Sequence, residues 1–142
     1  MIYLDAAYMA KFYVDEPESE KIRGLLADAE QAGSCVHGMV EVVSVFHRKL
    51  REGAIPQADF EALCAQFEVD CLAGLWTWLP LSDGLAQTTR RVISGLSCAT
   101  FLRAADALHL ACAADRGIAV VHTNDRHMMA AAPAFGVQTA TI

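Results

Sequence analysis

Residues 103–126 read RAADALHLACAADRGIAVVHTNDR, and this stretch decides the fold. Residues 103–116 are dominated by alanine and leucine, a strong helix-forming composition. Gly117 stands where a helix C-terminus favours glycine. Residues 118–121, Ile-Ala-Val-Val, form the kind of continuous apolar run that is buried on both faces of a parallel sheet. A polar turn over residues 123–126 follows directly. Helix, buried strand and turn in that order form a repeating unit of α/β chains.

The same alternation extends outward. On the C-terminal side, residues 126–132 predict a short helix stopped by Pro133, and residues 137–141 a last strand. On the N-terminal side, residues 2–4 predict a brief strand ending at Asp5, and residues 6–14 a short helix. Residues 18–32 have the apolar spacing of an amphipathic helix, with Ile22, Leu25, Leu26 and Ala29 on one face, and Gly33 is read as its stop. Residues 34–36 form a weak strand candidate. Residues 39–52 predict a strong helix with Arg48, Lys49 and Arg51 in its last turns and Gly53 after it. Pro56 opens a helix to about residue 72, residues 75–79 predict a strand holding both tryptophans, and Asp83 begins a helix to about residue 95. About five strands and seven helices fit a single three-layer α/β/α domain over residues 1–142, with a parallel sheet between helices. No repeat, low-complexity tract or linker interrupts it.

Composition agrees. The chain has 142 residues, 54% apolar and 20% charged, which excludes disorder. That length suits one domain with a real core. Five cysteines, an odd number without C-x-x-C spacing, predict neither a zinc site nor a disulfide framework, but buried free thiols. The start lacks a basic signal-peptide region, and no run suits a membrane span, so a cytoplasmic protein is expected.

In an open α/β sheet, ligand sites form beyond the carboxyl ends of the strands. Asp5 follows the first strand, Glu41 lies about one turn into the helix after the second, and Asp125 lies in the turn after residues 118–121. Asp106 sits on an otherwise apolar helix, three residues before His109 and one turn after Arg103. Clustered carboxylates repel: at ~4 Å and an effective dielectric of ~20 the cost is about 4 kcal/mol. Shared protons or a bound cation relieve it. All-oxygen ligands select hard ions such as Mg²⁺ or Mn²⁺ over zinc, and such ions support in-line phosphoryl displacement. A metal-dependent nuclease follows from that arrangement, although other Mg²⁺ chemistry stays open on these residues alone.

Five pieces resemble the PIN-domain ribonucleases: Met-Ile-Tyr-Leu-Asp5, Tyr-Val-Asp-Glu-Pro17, Glu41 within Met-Val-Glu-Val-Val, the run from Leu102 to Ala111 around Asp106, and Val-His-Thr-Asn-Asp125. More narrowly, the chain resembles the VapC toxins of bacterial type II toxin–antitoxin systems. The resemblance implies a PIN fold with a five-stranded parallel sheet, and Mg²⁺- or Mn²⁺-dependent endonucleolytic cleavage of RNA, with transfer or ribosomal RNA as targets and translation inhibited. It places the family's acidic quartet on Asp5, Glu41, Asp106 and Asp125. Thr123 matches the family's hydroxyl in the last turn, where with Asn124 it would support the ligands from behind. The implied partners are a cognate antitoxin, through which alone DNA is contacted, and a second copy of the chain in a homodimer. One position departs. Where the family carries Ser or Thr two residues after the first acid, this chain has Ala7. That departure motivates the alternative of a catalytically weakened PIN-fold module acting through its protein partner.

Plainer roles are open to the same residues. Asp5 and Asp125 suit helix N-caps, Glu41 complements a helix dipole, and Asp106 can pair with Arg103 or His109. His109 reads as a packing or supporting residue, and His37, His122 and His127 as surface or supporting residues. Trp76 and Trp78 read as core or interface residues, not base-stacking ones. A phosphoaspartyl phosphatase is disfavoured because Asp5 is followed by Ala6 and Ala7 in place of D-x-D. A receiver domain lacks its late lysine, since the lysines are Lys11, Lys21 and Lys49.

The formal charge is −6, with 17 acids against 11 bases, which argues against a polyanion partner at first sight. Setting the quartet aside leaves 13 acids against 11 bases, or −2. The bases are also uneven: residues 54–83 hold five acids and no base, while residues 84–142 hold five arginines against three acids. Contact with RNA is therefore expected to be local, on the surface shared by the helix from Met39 and the C-terminal half.

Overall fold

A computed structural model describes residues 1–142. Five strands, β1 (Ile2–Leu4), β2 (Ala32–Cys35), β3 (Trp76–Leu79), β4 (Val120–His122) and β5 (Gln138–Ala140), alternate with seven α-helices. The helices are α1 (Ala6–Tyr13), α2 (Ser19–Ala27), α3 (Gly38–Arg51), α4 (Gln57–Leu72), α5 (Asp83–Ser94), α6 (Ala104–Asp115) and α7 (Arg126–Ala131). The strands pair in the order β3-β2-β1-β4-β5 and all pairings are parallel, as expected from the alternation of strands and helices.

Side chains alternate across the sheet and feed two cores. Tyr3, Cys35, Leu79 and Val121 face one cluster with Leu85 of α5, Leu110 of α6 and Met128 of α7. Leu4, Ala32 and Trp76 face the other with Met9 of α1, Ile22 of α2, Phe46 of α3 and Phe67 of α4. These are the two outer layers of the α/β/α arrangement. No helix is long and apolar enough to cross a membrane.

Three local expectations are corrected. The helix expected over residues 18–32 is shorter, and Gly33 lies inside β2, not at a helix stop. A Cβ on Gly33 would lie 2.0 Å from the Thr77 carbonyl oxygen, so glycine is there to let β2 and β3 close. The strand expected over residues 118–121 begins at Val120, because the Ile118 N–H closes the end of α6 on the Ala113 carbonyl. α7 ends at Ala131, just before Pro133 as expected, and Pro133 stands in the first turn of the 3₁₀ turn Ala132–Phe135 that follows, where its missing N–H costs nothing. The cysteines are all free as expected, but only Cys35 and Cys112 are buried and Cys98 is exposed.

The chain runs outward from β1 to β2 and β3 on one side and returns through β4 to β5 on the other. The reversal falls between β1 and β4, the position where open α/β sheets form ligand clefts.

Candidate metal centre

Asp5 leaves the end of β1 and caps α1. One carboxylate oxygen accepts the Tyr8 N–H at 2.7 Å and the other accepts the Thr123 hydroxyl at 2.5 Å. The group is 4% exposed. Burial pushes its carboxyl above the ordinary range; the hydrogen bonds from Thr123 and Tyr8 offset this only in part, and the Asp125 charge adds to it.

Asp125 follows β4 and caps α7, one oxygen accepting the N–H groups of His127 at 2.7 Å and Met128 at 3.0 Å. Its own N–H donates to the Thr123 hydroxyl oxygen at 3.0 Å. The fully buried Thr123 thus joins the ends of the two strands that flank the reversal. Capping leaves the other Asp125 oxygen free of hydrogen bonds from the protein.

Glu41 and Asp106 enter from helices on opposite faces of the sheet. Glu41, in the first turn of α3, has one oxygen 2.7 Å from His109 Nε2 and 3.4 Å from His37 Nε2. Burial pushes its carboxyl up, but the hydrogen bond and charge of His109, with the charge of His37, prevail and hold it below the ordinary range. Asp106 has the opposite balance. Burial raises its carboxyl first, and the charges of Asp125 and Glu41 raise it further against the opposing Arg103 and His109. Its Oδ2 atom is buried with no hydrogen-bond partner.

All four acids line one cleft of about 480 Å³, together with Ala7, Asn124 and His109. Arg48, Arg103 and Arg126 also line this cleft, and none of the three makes an ion pair. Trp76 and Trp78 are elsewhere: Trp76 is buried with its indole N–H donating to the Tyr13 hydroxyl at 2.7 Å.

The donor set suits a hard divalent cation. Four carboxylates share the cleft, two of them held above their ordinary range, and a buried Asp106 oxygen lacks any partner; a cation answers both the repulsion and the orphaned atom. A second grouping, one donor atom each of His37, Glu41 and His109, lies within 4.8 Å. His109 hydrogen-bonds the carboxylate at 2.7 Å, while His37 Nε2 hydrogen-bonds the Ala105 carbonyl at 3.1 Å and adds only its nearby charge. Sequence reasoning assigned His109 and His37 supporting positions without finding what they support. Their spacing, one turn from Asp106 and one turn from Glu41, was the available signal.

The PIN domain family matches residues 2–133, and the chain belongs to that family. Within it, the chain is 31% identical to Ribonuclease VapC47 of Mycobacterium tuberculosis (strain CDC 1551 / Oshkosh), in an alignment of 150 residues spanning 99% of this chain and 96% of the relative. The crystal structure of Mycobacterium tuberculosis VapC20, described as a Sarcin-Ricin loop cleaving toxin, superimposes with a TM-score of 0.72 over 92% of this chain and 95% of that one. At 15% identity that likeness speaks to the fold.

Proposed function

We propose that the protein is a divalent-metal-dependent RNA endonuclease acting as the toxin of a toxin–antitoxin pair, with residues 1–142 as one PIN domain. The observation that carries this reading is the convergence of Asp5, Glu41, Asp106 and Asp125 on one cleft, with the Asp106 Oδ2 atom left unpartnered. The ribonuclease relative at 31% identity supports it.

Asp5, Asp106 and Glu41 would hold one Mg²⁺ or Mn²⁺ ion, with Asp125 completing the set or holding a second ion through water. When bound, such an ion activates a water molecule and neutralises charge on the scissile phosphate. The protein's own contribution is positional. Thr123 fixes Asp5 and the Asp125 turn to each other, His109 fixes Glu41 with His37 beside it, and Asn124 lines the cleft next to Asp125. Arg48, Arg103 and Arg126 supply cations where phosphates would lie. The reading includes a cytoplasmic site of action, a cognate antitoxin that brings the only DNA contact, a homodimer, and a transfer or ribosomal RNA target whose cleavage stops translation.

Ala7 lines the same cleft and offers no hydroxyl to orient a carboxylate or water. That one observation favours the second reading, a weakened module acting through its partner. Protein freed of antitoxin and incubated with RNA and Mn²⁺ separates the two. The nuclease reading expects cleavage that Asp5→Ala abolishes; no cleavage by the wild type, with partner binding intact, supports the weakened module.

A further inference from the structure

Phe101 precedes α6 and is 55% exposed although it is a large apolar side chain. Its ring is not loose on the surface. The His127 ring packs against it edge-on, with centroids 4.7 Å apart and planes at 66°. The Arg103 guanidinium carbon lies over the ring 6.0 Å from its centroid. Both neighbours line the carboxylate cleft, so the aromatic surface sits at the cleft's mouth.

The surrounding charge narrows what this surface can take. Arg103 and Arg126 line the same cleft and Arg48 lines it from α3; none has a carboxylate partner. Unpaired guanidinium groups beside an exposed aromatic ring match a ligand that alternates anionic groups with flat π-faces. A single-stranded nucleic acid has that alternation, with phosphates for arginine and bases for the ring. An apolar protein segment would meet the ring but leave three cations unanswered.

We propose that Phe101, braced by His127 and Arg103, is the stacking platform for one unpaired nucleobase of the RNA, and that Arg103 and Arg126 hold the phosphates on either side of it. This rests on the reading of the cleft as a ribonuclease site and adds a base subsite to it. Phe101 lies outside the residues that line the cleft, so its part is binding and selection of the nucleotide beside the cleavage point.

The test uses the full chain carrying Asp5→Asn, which keeps an N-capping side chain while removing a proposed ligand charge. Fluorescence anisotropy then follows a short single-stranded oligoadenylate, and the same ribose–phosphate chain without bases. Phe101→Ala is expected to weaken oligoadenylate binding on the order of 10- to 100-fold, the range of one lost base stack, and to leave the base-free chain bound as before. Phe101→Trp is expected to restore oligoadenylate binding. Arg103→Ala should weaken both probes. Thermal melts confirm that each variant is folded, which substitution at an exposed position permits.

Equal affinity of Phe101→Ala and the parent for oligoadenylate overturns the proposal. So does an equal loss for the two probes, which would make the ring a shape element and not a base platform. If Phe101→Ala instead loses only a co-purifying protein partner, the ring is a partner contact and the base subsite is wrong. RNA cleavage by the otherwise wild-type chain is scored separately, so failure of the nuclease reading and failure of the stacking platform give different patterns.

Discussion

Glu41 Oε2 accepts a hydrogen bond from His109 Nε2 at 2.7 Å, across from α6 to α3. Because Glu41 is held ionised, the histidine nitrogen is the donor. The other ring nitrogen lies 2.9 Å from the Tyr3 hydroxyl, which itself accepts the Cys35 N–H at 3.0 Å. Burial pushes the Tyr3 phenol far up, so its hydroxyl stays protonated. A chain of hydrogen bonds therefore runs from the backbone of β2 through Tyr3 and His109 to a proposed metal ligand, and it fixes the orientation of the imidazole.

Breaking that chain has a readable consequence. His109→Ala is expected to lower Mn²⁺ affinity about 10- to 100-fold, the usual effect of losing a group that orients a ligand. His109→Gln, which can still donate to Glu41, should recover part of it. Tyr3→Phe strands the Cys35 N–H and a ring nitrogen in the core, and should cost about 1–3 kcal/mol of stability in urea unfolding.

Thr123 is the second structural lever. Its hydroxyl donates to Asp5 and accepts from the Asp125 N–H at a fully buried position. Thr123→Val leaves both groups without a partner and should destabilise the fold by about 1–3 kcal/mol, with Mn²⁺ affinity falling as well. Thr123→Ser should behave like the wild type in both measurements. A Thr123→Val protein as stable as the wild type would contradict this role.

The pH behaviour follows from the sign of each shift. Asp5 and Asp106 are raised in the fold, so folding favours their protonated forms. Their contribution to metal-free stability is complete below the ordinary carboxylate range, about pH 4, and is lost as pH rises through their raised values. Glu41 is lowered, so its contribution is present above that range and lost as pH falls through its lowered value. Melting temperatures of metal-free protein, measured from mildly acidic to neutral pH, should carry this downward component from Asp5 and Asp106. The increment added by Mn²⁺ should grow over the same interval, since the ion must displace their protons. Asp106→Asn, a neutral isostere, should raise the metal-free melting temperature at neutral pH and shrink the Mn²⁺ increment.

Two positions test the fold and the departure at the cleft. Gly33→Ala brings a Cβ to 2.0 Å from the Thr77 carbonyl oxygen, so β2 and β3 can no longer close, and soluble yield and melting temperature should fall sharply. Ala7→Ser restores a hydroxyl to the cleft lining and should raise the rate of Mn²⁺-dependent RNA cleavage without changing stability appreciably.

The architecture was legible because periodicity and punctuation agree along most of the chain: buried β-branched runs, helices closed by glycine, acids placed just after strands. Where the reading missed, tertiary contact overrode local preference. Gly33 looked like a helix stop because its close neighbour, Thr77, lies on a strand far along the chain. The four acids were legible as residues that strand ends and a family resemblance place together. The clamp on Glu41 was not, since Tyr3, Ser34, His37 and His109 meet only when α6 packs across β1 and β2. Phe101 carries no signal in the sequence; its meaning comes from His127 and Arg103 beside it.

If the four carboxylates hold the divalent cation that supports RNA cleavage, ion binding and cleavage must be lost together. Antitoxin-free wild-type protein and Asp106→Asn, titrated with Mn²⁺ in parallel, test it most directly, with bound ion read by electron paramagnetic resonance and RNA cleavage by gel. The wild type is expected to bind Mn²⁺ and cleave RNA over the same concentration range, while Asp106→Asn binds far more weakly and does not cleave. Cleavage by Asp106→Asn at the wild-type rate, or wild-type cleavage unaffected by removal of divalent ions, would contradict it.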